Sequence, residues 1–300
     1  LCTRHLLRRS LRQLLMKRID ITTESWAQYE LIDSGVGRKL ERFGTLTLDR
    51  PDPQALWHKK SPDIWVDAHA QFLWADKGER WKLGAGTPES WSIAWGDIKL
   101  SLSFKGFKHI GVFPEHAHQW GLIQSLGKKH TGLRMLNLFG YTGGASIAAA
   151  FAGIAVTHVD ASKSTIETVK ENAALSGLAS DAIRVICEDA LRYAKRLVQR
   201  GEQFDIIVMD PPAFGRGPKG EVWKIEESLA ELVSLLPELL THNAKLVILN
   251  GYAAGYSART FGELFNDTLP NGTIEYGEVS IQQKNSDRLL TTGIYAKWNK

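Results

Sequence analysis

With only two cysteines, Cys2 and Cys187, the 300-residue chain has neither a disulfide framework nor the ligand spacing of a zinc site, which fits a reducing compartment. No apolar run approaches the roughly 20 residues that a membrane-spanning helix needs, and no internal repeat or low-complexity tract is present. Charge of one sign is scarce as well. The net charge is +4, but Arg4, Arg8, Arg9, Arg12, Lys17 and Arg18 all precede the first acid, Asp20; these six positive charges leave −2 for the rest. A strong global basic field is therefore excluded, and contact with RNA requires a local patch. Acids are missing altogether from Leu1 to Arg18, a stretch rich in Arg and Leu, as mitochondrial presequences are. Two plainer readings compete with a presequence: translation from an upstream start, with Met16 as the natural beginning, and a short helical extension. The cytoplasm is the default location.

What is present suits one large or two medium domains with a substantial core, at 43% hydrophobic content. The expected division is a basic extension over 1–18, a small β-rich domain over 19–106 and a larger domain over 107–300. In the second of these, glycine and proline punctuate short runs, and Ile98 to Phe104 alternates with period two, which reads as antiparallel strands. Trp57, Trp65, Trp74, Trp81, Trp91 and Trp95 crowd this segment. They could stack on unpaired bases, but tryptophans in short strands more often build a core or an interdomain contact.

The larger domain begins with a strand, Arg134 to Phe139, that enters a glycine-bearing turn and then a small-residue helix, Ala145 to Ala152. Three further strands follow: Val156 to Val159 ending at Asp160, Ile183 to Cys187 ending at Glu188 and Asp189, and Phe204 to Met209 ending at Asp210-Pro211-Pro212-Ala213-Phe214. In an open parallel sheet such ends face one ligand near the point where strand order reverses. The acid after the second strand can bond a ribose diol, as it also does in dinucleotide sites. The turn lacks the Gly-x-Gly-x-x-Gly spacing that suits a pyrophosphate, and Asp160, Asp189 and Asp210 are poor company for phosphates. A nucleoside ligand without phosphates is expected.

From about Leu133 to the C-terminus the chain resembles the class I S-adenosylmethionine-dependent methyltransferases. It is most similar to the bacterial large-subunit ribosomal RNA methyltransferases of the cytosine-C5 and guanine-N7 kind. Phe107 to Glu115 resembles the segment of that family that leads into the cofactor site. The resemblance implies a Rossmann-like α/β sheet, mostly parallel with a terminal antiparallel hairpin, behind the β-rich N-terminal domain. It also implies S-adenosylmethionine as cofactor, ribosomal RNA as substrate, and no metal or membrane. Carried over residue by residue, the turn Asn137, Phe139, Gly140, Tyr141, Thr142 and Gly143 wraps the methionine part. Asp160, with Ala161 and Ser162, takes the ribose, while Asp189, flanked by Glu188 and Ala190, takes the adenine. Phe113 and Glu115 join them from the leading segment, and Asp210, Pro211, Pro212 and Phe214 line the acceptor pocket.

In that last run the carboxylate and an unpaired carbonyl can accept bonds from a base, the prolines stiffen the turn, and Phe214 offers a planar face; alone, Asp-Pro-Pro could be a tight strand-end turn. One departure matters. Cytosine-C5 transfer needs a thiolate to attack the base, which relatives of that kind carry just after the fifth strand, where this chain has Leu249-Asn250-Gly251-Tyr252. A base nitrogen is the expected acceptor, with Asn250 and Tyr252 as candidate contacts and Cys187 as a small buried hydrophobe. His109, His116 and His118 lack a cysteine or acid at metal-ligand spacing, and His116 is an acid–base candidate. The loop Gly215 to Gly220 either closes over a phosphate-bearing substrate or is a solvated connection. Ser164-Thr165-Ile166-Glu167 predicts a capped helix, and Val222 to Leu236 predicts another. A methyltransferase for a protein side chain or metabolite, and a non-catalytic RNA-associated module, are the alternatives.

Overall fold

A computed structural model describes residues 16–74, 81–104, 108–252 and 255–300. The presequence reading, Cys2 and Phe107 fall outside them.

The five central strands are parallel because each return path is a helix packed on a sheet face. Across the sheet they run Leu246–Gly251, Ile206–Met209, Arg134–Leu138, Ala155–Asp160 and Ile183–Cys187. Strand order therefore reverses between Arg134–Leu138 and Ile206–Met209, and this switch point is where the site forms. The continuous apolar runs follow from burial on both faces. Ile206, Val208, Leu246 and Ile248 pack into one core, and Ile207, Met209, Val247 and Leu249 into the other. The strand Leu289–Asn299 adds antiparallel to Leu246–Gly251, and Thr273–Gln282 pairs antiparallel beyond it. This terminal hairpin matches the expected fold class.

The chain's start is used differently from the expected division. Met16–Arg18 and Ile21–Thr23 both pair in parallel with Thr273–Gln282, so the end of the basic stretch and the residues just after it belong to the large sheet. Lys17 and Arg18 are exposed, as edge positions allow. The N-terminal sheet proper comprises Tyr29–Gly35, Arg38–Phe43, Leu46–Pro51, Ala70–Phe72 and Trp81–Leu83 in sequential order, with one parallel pair, Leu46–Pro51 with Ala70–Phe72. Trp65 and Trp81 are buried, and Trp57, Trp91 and Trp95 pack against the core; Trp74, at 62% exposure, stays largely in solvent with its ring edge-on to Phe72.

Local expectations shift in two places. The helix Lys163–Leu175 is capped by Ser162, whose extended backbone lets its Oγ accept the Thr165 N–H at 3.3 Å; Ser164 lies inside the first turn, and Glu167 pairs with Lys170. Val222–Lys224 is a short strand against Phe214–Arg216, so the helix starts only at Ile225 and the basic loop is the tip of a hairpin. Trp223 holds that strand down, its ring 4.7 Å from Phe139.

The hairpin Ser90–Trp95 with Ile98–Ser103 docks the N-terminal region onto the sheet through the fully buried Asn172. Its Oδ1 accepts the Ser101 N–H at 2.7 Å, and its Nδ2 donates to the Thr142 carbonyl at 2.9 Å. Asn172→Ala strands both backbone groups and is expected to destabilise the protein by about 1–3 kcal/mol for each group left unpaired. An unchanged denaturation midpoint would contradict this docking role.

Candidate active site

The turn after the first strand is strained, and the strain has visible support. Phe139 and Tyr141 sit at φ 56° and 51°, a region disfavoured for residues with a side chain. Gly140 between them lies directly on the His158 ring, where any Cβ would overlap the imidazole. Gly143, at φ 92°, starts the helix Gly144–Phe151. Beneath the turn, Asn137 Nδ2 donates to Ser146 Oγ at 2.9 Å, and Ser146 Oγ is 2.9 Å from His158 Nδ1. Burial lowers the His158 pKa to about 4, so the ring stays neutral under this turn. Thr142 ties the turn outward by donating its hydroxyl to the Gly111 carbonyl at 2.5 Å.

The Tyr141 N–H then points at the end of the second strand, reaching Asp160 Oδ2 at 3.0 Å, while the Ser162 N–H reaches Oδ1 at 2.9 Å. Burial raises the Asp160 pKa against these two bonds. At the third strand's end Asp189 caps the helix Ala190–Gln199, Oδ1 accepting the Arg192 N–H at 2.8 Å, which leaves Oδ2 as an acceptor. Glu188 turns the other way, paired with Arg196 and facing a separate surface cavity.

Asp210, at the fourth strand's end, is the least satisfied acid. Its Oδ1 is buried without a hydrogen-bond partner among the described residues, and Oδ2 lies 3.9 Å from His116 Nδ1. Burial raises its pKa, His116 opposes that shift and Glu115 adds to it. After it, the Pro212 carbonyl accepts the Trp223 indole N–H at 2.8 Å and the Ala213 carbonyl accepts the Ile225 N–H at 3.1 Å. Those two carbonyls are spent on the fold, so a carbonyl of this run open to a base has to come from Asp210 or Pro211. Phe214 is 54% exposed.

These ends open on one cavity of about 620 Å³. Phe139, Tyr141, Asp160, Ala161, Ser162, Asp189 and Ala190 line one part, and Asp210, Pro211, Pro212 and Phe214 the other. Phe113 closes it opposite, its ring 5.1 Å from Tyr141 and 5.4 Å from Tyr252. Asn137, Gly140 and Thr142 border a smaller recess of about 40 Å³ behind, together with Asp210 and His116. Gly143 and Glu188 do not line the large cavity, nor does Glu115, whose carboxylate instead accepts the Tyr252 hydroxyl at 2.7 Å. Asn250 is no free contact either: its amide makes two bonds, of 2.6 and 3.0 Å, with that of Gln119. Cys187 is only half-buried, its Sγ 3.7 Å from the Ala161 carbonyl, and it too is absent from the cavity wall.

Sequence reasoning passed over His158, Ser146 and Trp223. His158 stands two residues before Asp160 in a buried strand, and that spacing was the available signal.

A reversed parallel sheet, a terminal antiparallel hairpin and acids at successive strand ends define a nucleoside-binding α/β protein of the methyltransferase kind. Comparison with known proteins is specific. Residues 120–248 match the family model described as conserved hypothetical protein 95. Over 154 residues, 51% of the chain, it is 36% identical to the ribosomal RNA large subunit methyltransferase K/L of Shewanella sp. strain W3-18-1, of which that stretch is 21%. The chain thus spans about a fifth of the length of the curated relatives it matches. It is also similar to the crystal structure of the SAM dependent methyltransferase from Agrobacterium tumefaciens, with a TM-score of 0.90 and 37% identity over 94% of this chain and 93% of that one. SMU.776, a putative methyltransferase complexed with SAH, shares the fold at a TM-score of 0.72 and 17% identity over 90% of this chain and 75% of that one. The chain belongs to the class I S-adenosylmethionine-dependent methyltransferase family.

Because burial raises Asp210's pKa, its ionised form is held at a cost that is absent at low pH, where the carboxyl is protonated in both folded and unfolded states. The cost is complete above the raised folded value. Asp210→Asn is therefore expected to raise the midpoint of thermal denaturation at neutral pH, and the gain is expected to fade toward pH 4. Thermal denaturation at the two pH values checks this, and an equal effect at both would contradict it.

Proposed function

We propose that the protein transfers the methyl group of S-adenosylmethionine to a ring or exocyclic nitrogen of a base in ribosomal RNA, acting in the cytoplasm. The observation that carries this reading is the buried Oδ1 of Asp210 at the switch point, without a partner among the described residues, beside the exposed ring of Phe214 and in one cavity with Asp160 and Asp189. The relatives named as ribosomal RNA large subunit methyltransferases support the substrate class.

The residues present fit the cofactor. Asp160 has both oxygens oriented by N–H groups and keeps lone pairs for a ribose diol, and Asp189 Oδ2 suits an amino group. When bound, the cofactor supplies an electrophilic methyl on a sulfonium. The chain's own work is to align the acceptor with it and exclude water. Asp210 accepts the N–H of the base and takes the proton released as the nitrogen–carbon bond forms, and Phe214 packs on the base plane. The raised pKa of Asp210 suits a group that must gain a proton. The absence of Cys187 from the cavity wall argues against a covalent cytosine-C5 route.

Asp160→Ala is expected to weaken S-adenosylmethionine binding by about 1.5–3 kcal/mol, the range for hydrogen bonds to a charged group. Calorimetry on the folded variant checks this; unchanged affinity removes the ribose assignment, and equally tight NAD binding by the wild type removes the cofactor choice.

Binding and turnover are expected to separate at the acceptor end. Asp210→Ala and Phe214→Ala keep cofactor affinity while methyl transfer to RNA falls on the order of a hundredfold through misalignment. Cys187→Ser keeps most activity. If Cys187→Ser abolishes transfer with fold and cofactor affinity intact, covalent chemistry replaces the nitrogen reading; transfer to protein or metabolite fractions instead of RNA replaces the substrate.

A further inference from the structure

A second chamber, of about 230 Å³, adjoins the first, and the two share Lys108, His109, Phe113 and Tyr252 as wall. Its remaining sides come from both halves of the protein: Lys39, Arg50 and the Asp52 to Gln54 loop of the N-terminal sheet, Glu115, and Thr292 of the C-terminal hairpin. Three cations, Lys39, Arg50 and Lys108, share this region with three carboxylates, Glu41, Asp52 and Glu115, but not every charge has a direct partner. Arg50 is held in a two-pronged pair by the buried Glu41, at 2.6 and 2.9 Å. Lys39 Nζ lies 3.3 Å from Asp52 and 3.7 Å from Glu41. The Glu115 carboxylate is engaged by the Tyr252 hydroxyl. Lys108 is left over: it is half-buried, and no ion pair or side-chain hydrogen bond joins its ammonium to another described residue. Burial, and then the neighbouring Lys39 and Arg50, hold its pKa below the usual lysine value, against an opposing pull from the Asp52 and Glu115 carboxylates. An unpaired, partly desolvated cation beside two others is a site that an anion relieves.

The walls decide which anion. Of the residues assigned to the cofactor, only Phe113 and Glu115 of the leading segment line this chamber; the strand-end stations, Asn137 to Gly143, Asp160 to Ser162 and Glu188 to Ala190, do not. It joins the large cavity across the wall opposite them, where Phe113 and Tyr252 stand. Phosphates are disfavoured near Asp160, Asp189 and Asp210, whereas here Lys39, Arg50 and Lys108 offset Glu41, Asp52 and Glu115, and the Lys108 ammonium is the charge with no direct partner among the described residues.

We infer that the side chamber is a phosphate subsite, in which Lys108 receives a backbone phosphate adjoining the base held in the acceptor pocket. This rests on the reading of the substrate as RNA. It gives a chain with no global basic field a local contact, built only where the two halves of the protein meet.

The test is fluorescence anisotropy with a short labelled single-stranded oligoribonucleotide of mixed sequence, at saturating S-adenosylhomocysteine. Lys108→Met is expected to weaken binding about five- to tenfold and to lower the slope of log affinity against log salt by about 0.7, as for the loss of one phosphate contact on a single strand. Lys108→Arg is expected to retain most of the affinity. Gln54→Glu, an exposed change that adds an acid to the chamber rim, is expected to weaken binding in the same direction and keeps the question open to measurement if Lys108→Met does not fold. Calorimetric affinity for S-adenosylhomocysteine is expected to stay unchanged in all three. Wild-type slope and affinity in Lys108→Met and Gln54→Glu would overturn the subsite, as would failure of the wild type to bind the oligonucleotide. A loss of S-adenosylhomocysteine affinity in Lys108→Met with normal oligonucleotide binding would overturn it in favour of the cofactor's carboxylate. Methyl incorporation into RNA by the wild type reports separately on the substrate: weakened binding in Lys108→Met with no incorporation removes the activity and leaves the subsite.

Discussion

The neutral imidazole of His158 is the support on which the site depends. It is fully buried in the second strand of the central sheet, directly under Gly140, and is joined through Ser146 to Asn137 of the first strand. With that ring in place the turn must pass above it, and only a residue without a Cβ fits at position 140. The flanking residues Phe139 and Tyr141 are thereby driven to positive φ, and Tyr141's N–H is turned onto Asp160. A cationic imidazole would leave a buried charge beneath a backbone carrying no counter-charge; burial lowers its pKa to about 4 and avoids that state at physiological pH. Strain in the turn is thus held by packing below it, and the ends of two strands are fixed to each other before any ligand arrives.

Around this fixed point charge is divided by function. The acids at the strand ends differ in how far the protein satisfies them. Asp160 has two backbone donors, Asp189 is half occupied by a helix cap, and Asp210 keeps one oxygen with no partner among the described residues. In the proposed function that gradient runs from positioning a ligand to reacting with one. The cations stand on the opposite wall, where the N-terminal sheet meets the Phe113 segment, and all but Lys108 are matched by carboxylates. The N-terminal domain is therefore part of the site's electrostatics, and Asn172 and the Lys39 to Asp52 wall are the means by which it reaches the site.

Much of this architecture is legible in the sequence, for a physical reason. Parallel strands covered on both faces must be apolar throughout, so the acids Asp160, Glu188, Asp189 and Asp210 mark strand ends without ambiguity. The central strands follow, and the terminal hairpin is what the family resemblance implies. The rest is hidden where one local pattern fits two structures. Val222 to Leu236 has helical spacing throughout, yet Trp223 is drawn into a hairpin by the Pro212 carbonyl and the Phe139 ring. Two serines stand two residues apart before the helix Lys163–Leu175, and backbone geometry selects Ser162. Met16–Arg18 has no alternation because an exposed edge strand needs none. His158 sits inside an apolar run, where a polar residue is visible only as an exception. The Lys108 environment is the least legible, because Lys39 and Arg50 approach it from a part of the chain about sixty residues away.

The central claim, a methyl group delivered to a base nitrogen of ribosomal RNA, is tested most directly by mass spectrometry of nucleosides. The RNA is taken from otherwise identical cells with and without this protein. One N-methylated nucleoside is predicted to disappear from the ribosomal RNA of cells lacking the protein and to return on re-expression. An unchanged nucleoside profile, or the loss of a carbon-methylated pyrimidine instead, would contradict the account.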